Sequence, residues 1–128
     1  MSLQAAKTRE YADLMLNTSF ALCPRGDALF SYRWSEALSV GRVPVILADG
    51  WVLPFSEILD YSTFAIVHPE ADVATLEQTL SSIPQETVCK MRQQALAVYK
   101  LHFQTLDKQL HTILKLIFSR AQADMVTN

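Results

Sequence analysis

Glycine is scarce in this 128-residue chain: Gly26, Gly41 and Gly50 are all it has. That leaves no material for a glycine-rich phosphate loop or a Gly-x-Ser-x-Gly nucleophile elbow, so P-loop NTPase and α/β-hydrolase chemistry lose their usual support. Cysteine is scarcer still. Cys23 and Cys89 lie far apart, match no zinc spacing and make no disulfide framework, so both are expected as free thiols, as in a reducing compartment. No apolar run reaches the ~18 residues a membrane-spanning helix needs, and no signal peptide is visible. Neither sign of charge dominates: the formal net charge is −2 and the basic residues are scattered. A nucleic-acid binder normally carries a basic stripe, which is missing here. No Asp-x-Asp pair is present to hold a metal on a diphosphate, and no internal repeat or low-complexity segment breaks the chain.

Half of the residues are hydrophobic, enough for one domain with a core of its own. Residues 4–16 predict an amphipathic helix with Tyr11, Leu14 and Met15 on one face. Phe20–Cys23 is a short apolar run, expected as a buried strand. Pro24 and Gly26 then break the chain. Ser31 is the expected N-cap of a helix through Val40, with Gly41 just past its end. Val43–Leu47 is the clearest strand, and Phe64–Val67 predicts a third. Strand–helix–strand with short links implies parallel strands. The expected fold class is therefore α/β: a small, parallel, three-stranded Rossmann-like sheet with flanking helices and two open edges.

Beyond Pro69 the pattern turns helical. Asp72 is placed to cap a helix carrying Val73, Leu76 and Leu80, and Ser82-Ile83-Pro84-Gln85 resembles a capping box. Val88, Met91, Ala95, Val98 and His102 recur at steps of three and four. Leu106, Leu110, Ile113, Leu114 and Ile117 continue that rhythm after a bend near residue 105. No glycine or proline follows Pro84, so the C-terminus is predicted as a long helix.

Candidate functional residues gather where strands end. Pro24-Arg25-Gly26-Asp27 lies at the carboxyl edge of the first strand, where ligands bind in parallel α/β sheets. The following helix points its positive N-terminal end at that loop, a favourable place for phosphate. Arg25 can grip a phosphate with two prongs, and Gly26 lets backbone come close; an ordinary surface turn with Arg25 paired to Asp27 fits the same residues. Arg33 and Glu36 share a helix face, either as a local ion pair or as diphosphate and ribose contacts. Ser31 and Tyr32 add hydroxyls near the helix start. Asp49 and Trp51 occupy the loop after the second strand; Trp51 either stacks on a base or sugar or, with Phe55, plugs the core. His68 stands at a strand end. His102, on the apolar stripe, reads as a satisfied core or interface histidine rather than a ligand, and His111 as solvated.

Taken as an ordered set, Ser19-Phe20-Ala21-Leu22-Cys23-Pro24-Arg25-Gly26-Asp27, Arg33-x-x-Glu36-Ala37, Gly41-Arg42-Val43-Pro44-Val45-Ile46, Leu53-Pro54-Phe55 and Leu59-Asp60-Tyr61-Ser62-x-Phe64 resemble the exostosin family of glycosyltransferases. The resemblance spans residues 4–103 of what is expected to be a single domain, with 104–128 as a helical tail. It implies the donor-binding, C-terminal half of a GT-B fold. Such enzymes move a sugar from a nucleotide sugar, usually a UDP-sugar, onto a growing polysaccharide. By the same resemblance Arg25, Gly26, Ser31 and Arg33 would hold the diphosphate and Glu36 the ribose, with no prosthetic group and no catalytic residue assigned. A GT-B enzyme takes its acceptor site, and commonly its base, from another domain, so a missing N-terminal domain or a second copy is the partner this resemblance implies. A non-catalytic binding or assembly module that kept the fold is the alternative expectation. The opening Met1-Ser2-Leu3 is compatible with a cloning leader, which would leave an upstream anchor or domain out of view. A complete chain of this kind is expected in the cytoplasm; a eukaryotic family member with an upstream anchor would sit in the Golgi lumen.

Overall fold

The computed structural model describes residues 3–26 and 32–127. Within them lies a parallel three-stranded sheet in the order β1-β2-β3. The strands are β1 (Phe20–Pro24), β2 (Val43–Leu47) and β3 (Ile66–Val67), and the helices are α1 (Leu3–Asn17), α2 (Arg33–Ser39), α3 (Leu76–Ser81), α4 (Gln85–Val98) and α5 (Leu106–Thr127). The expected fold class holds: small parallel sheet, flanking helices, long helical C-terminus. No described helix is long and apolar enough to cross a membrane.

β2 is the central strand and is buried throughout. It nevertheless contains a proline, which ordinarily belongs on sheet edges because it has no N–H for the ladder. The register explains this. Val43 N–H donates to Ser19 and Leu47 C=O accepts from Arg25, so Val43, Val45 and Leu47 bond toward β1. Ile46 faces the other way, its C=O accepting from His68 N–H. Pro44 shares that second direction, and β3 only begins at Ile66, opposite Val45. The absent N–H therefore points to a place where there is no strand to accept it.

Alternation sends successive β2 side chains to opposite faces. Ile46 joins Cys23, Trp34, Leu38, Phe64, Ala95 and Val98 in the larger core, under α2 and α4. Val45 and Leu47 pack with Leu76, flanked by half-buried Phe20, Ile66 and Leu80, under α3. In α4 the buried residues are Val88, Met91, Ala95 and Val98, the positions its helical rhythm predicts. Gly41 follows α2 at φ +66°, a left-handed conformation in which glycine carries no Cβ penalty.

Several boundaries differ from expectation. α2 starts at Arg33 and ends at Ser39, with Tyr32 in the capping position and no side-chain cap; Ser31 and Asp27 lie outside the described residues. The third strand is only two residues long, because Phe64 and Ala65 donate their N–H groups back to Tyr61 C=O and close a 3-10 turn over Tyr61–Thr63. Asp72 caps nothing: Glu70–Thr75 is a 3-10 segment and α3 begins at Leu76, leaving Val73 exposed. Pro84 precedes α4 without a side-chain cap, so the capping box is not formed. The proposed apolar face of α1 is not buried at Leu14, which is exposed. The bend after α4 is a π-helical turn, Tyr99–Phe103, where Gln104 N–H reaches back to Tyr99 C=O.

Candidate functional site at the carboxyl edge of the sheet

All three strands end on one side of the molecule, and three of the loops leaving them meet there. Arg25 follows β1, and its N–H donates to Leu47 C=O at 3.1 Å, which fixes its backbone to β2. Its Nε lies 3.3 Å from Glu70 Oε1. The same Oε1 accepts the Asp49 N–H at 3.0 Å, while Asp49 Oδ1 accepts the Glu70 N–H at 3.2 Å. Asp49 and Glu70 thus clasp each other reciprocally across the loops after β2 and β3. The ion pair is half exposed (Arg25 side chain 53 %, Glu70 30 %), so it adds no more than about 1 kcal/mol to stability. Its consequence is orientation. A shallow hollow of about 240 Å³, bordered by Pro24, Arg25, Leu47, Glu70 and Val73, opens beside it.

Glu70 is placed by its neighbours. The buried His68 ring puts Nε2 2.7 Å from Asp72 C=O. A carbonyl only accepts, so Nε2 carries the proton and donates. Asp72 N–H in turn donates to Pro69 C=O. His68 is therefore a satisfied structural group that holds the turn bearing Glu70. Gly26 has no left-handed φ, and among the described residues nothing lies within 4 Å of where its Cβ would be. Neither backbone conformation nor packing against those residues requires glycine at that position.

Arg33 and Glu36 sit one loop further on, at the start of α2. They converge on Tyr11 of α1: its hydroxyl donates to Glu36 Oε2 at 2.7 Å, and the Arg33 guanidinium lies 5.9 Å from its ring centroid. Burial, followed by the hydrogen bond to the Glu36 carboxylate, pushes the Tyr11 phenol up to about 12. Arg33 borders a second hollow, of about 470 Å³, with Tyr11, Leu14, Phe20 and Leu22. The sequence candidates therefore divide between two hollows, with Arg25 at one and Arg33, beside Glu36, at the other.

Trp51 is half-buried. Its ring meets Trp34 edge-on at 5.8 Å, and Trp34 in turn meets Phe103 at 5.0 Å. Phe55 stacks on Phe103 at 5.2 Å and is held at φ +56°. Tyr61 donates its hydroxyl to Pro54 C=O at 2.7 Å. The loop 49–60 is thus fastened onto an aromatic cluster, and Trp51 belongs to that cluster.

Residues 2–83 match the Exostosin GT47 domain. The chain belongs to the exostosin family of glycosyltransferases. It is 38% identical over 111 residues to Exostosin-1a of Danio rerio, covering 87% of this chain and 15% of that protein. It is also 38% identical to the Exostosin-1 homolog of Caenorhabditis elegans, covering 29% of it. Exostosin-1 of Mus musculus is 35% identical over the same length. The chain thus spans between about one seventh and under one third of these exostosins. The exostosin-like segments fall on β1, α2, β2 and the loop from β2 to β3; of these, the ends of β1 and β2 reach the carboxyl edge. Two residues at the edge escape sequence reasoning. Glu70 reads as the acidic start of a helix, and Tyr11 as part of an apolar helix face. Each acquires its partner only when distant segments meet.

Proposed function

We propose that this exostosin-family chain supplies the donor side of a glycosyl-transfer site and binds the nucleotide-diphosphate part of a UDP-sugar. Arg25 carries the reading. It stands at the carboxyl edge of a parallel sheet, its backbone tied to β2, next to a glycine that the described residues leave open to a close approach. Arg25 and Arg33 would contact the diphosphate, Gly26 would let it come near the backbone, and Glu36 would accept from ribose hydroxyls. Ser31 joins them by its family position alone. In transfer, the arginines would stabilise charge growing on the departing diphosphate, while a base from another part of a full-length enzyme would activate the acceptor hydroxyl.

The test is a titration of the chain with UDP, followed by amide NMR shifts of residues 19–40. Binding without sugar transfer is expected from the 128-residue chain. Arg25→Ala is expected to weaken it about tenfold or more, the worth of a charged hydrogen bond. Binding that survives loss of both Arg25 and Glu36 would sink the assignment. One observation favours a second reading, an assembly module without nucleotide affinity: Leu106, Leu110, Ile113, Leu114 and Ile117 of α5 are all exposed. Light scattering beside the titration separates the two, since that reading requires a stable oligomer and no response to UDP.

A further inference from the structure

We infer that Glu70 is a positioning residue for Arg25, setting the direction in which its guanidinium is offered to the diphosphate; this rests on the donor-side reading above. A guanidinium approached at Nε keeps both terminal nitrogens for a second, two-pronged partner. Glu70 makes that approach, with Oε1 3.3 Å from Arg25 Nε. It is itself fixed, because Oε1 also takes the Asp49 N–H and the Glu70 N–H is bound by the Asp49 carboxylate. The His68 ring bonded to Asp72 C=O holds the turn from beneath. One oxygen therefore ties the loop after β1 to the loop after β2, from a residue supplied by the loop after β3.

The alternative role, a carboxylate that merely happens to lie near an arginine, makes the opposite prediction. A negative charge beside a diphosphate repels it, so deleting a bystander carboxylate strengthens anion binding. Deleting an orienting one weakens it, because Arg25 must then be ordered at the ligand's expense. The sign of the effect decides.

The experiment measures UDP affinity of the 128-residue chain by NMR titration for the native sequence, Glu70→Ala, Glu70→Gln and Arg25→Ala, with thermal unfolding of each. Glu70→Ala is expected to weaken UDP binding about three- to tenfold, the worth of one ordinary hydrogen-bonded contact. Glu70→Gln keeps the acceptor oxygen without the charge, and is expected to restore affinity to the native level or slightly above it. Asp49→Ala, which loosens the clasp from the other side, is expected to weaken binding in the same direction and serves if Glu70→Ala does not fold. Affinity unchanged or raised in Glu70→Ala overturns the inference, as does a Glu70→Gln variant as weak as Glu70→Ala. An Arg25→Ala variant that binds UDP like the native chain overturns instead the diphosphate reading on which it rests.

Discussion

The two cysteines carry one functional group in opposite surroundings. Cys23 lies in the larger core with its Sγ 3.3 Å from Ala21 C=O, and burial pushes its thiol up to about 12. Cys89 is exposed on α4. Thiolate, not thiol, is the nucleophile, so burial protects Cys23 twice, by blocking access and by raising its pKa, while Cys89 is open to reagents. A thiol-titrating disulfide reagent at pH 8 is expected to modify one sulfur rapidly in the native chain and the second only on unfolding; two fast thiols would mean that β1 is not packed as described. The free state of both thiols was readable from their spacing, and so was their contrast: Cys23 ends an apolar run expected as a buried strand, while Cys89 falls off the stripe Val88, Met91, Ala95, Val98. The candidate site was legible only in part. Arg25 and Asp49 were legible as edge residues because they fall within two residues of a strand's end, and residues there share an edge whatever the tertiary detail. Glu70 was not legible, because its meaning depends on Asp49 N–H arriving from across the sheet.

Strands announced themselves by composition and helices by rhythm, but the lengths of both were set by where backbone groups found partners. The apolar run Phe64–Val67 has the chemistry of a strand, yet its first half serves the turn from Tyr61 and only Ile66 and Val67 pair with β2. The apolar rhythm that crosses residue 99 has the chemistry of one continuous helix, yet a π-helical turn interrupts it. That turn places His102 against Phe55 and Phe103, with Nδ1 3.0 Å from Thr112 Oγ1. Thr112 donates its hydroxyl proton to Lys108 C=O, so its oxygen accepts from His102 Nδ1–H. Burial, then the nearby Lys115 ammonium, lowers the His102 pKa below its ordinary 6.5. The unfolded chain therefore binds more protons than the native one just below pH 6.5, and stability falls as the pH drops through that value toward the folded pKa. The junction of α4 with α5 is expected to loosen on acidification. Following the His102 ring protons by NMR checks it: a midpoint at or above 6.5 contradicts the packing, and His102→Gln should remove this part of the pH dependence of unfolding.

The molecule as a whole is held by two cores on the two faces of β2, and neither contains a residue of α5. The attachments of α5 include Thr112 to His102, Gln109 to Phe103 C=O, Lys108 Nζ to Lys100 C=O and Arg120 to Glu57. Along it Leu106, Leu110, Ile113, Leu114, Ile117 and Phe118 remain exposed. The helical rhythm was legible here and its burial was not, because a periodic apolar stripe states that a face can be covered without stating by what. If stability resides in the sheet and its two layers, deleting residues 106–128 should leave a chain that still unfolds cooperatively. The loss should be about 2–5 kcal/mol, the worth of three hydrogen bonds plus a surface ion pair. The deletion should also reduce binding of a hydrophobic dye, since it removes more exposed apolar surface than it uncovers. Urea unfolding followed by tryptophan fluorescence reports on this directly, because Trp34 and Trp51 lie edge to face in and against the larger core. A non-cooperative transition in the shortened chain would show that α5 is part of the folding unit, and that the two cores do not stand without it.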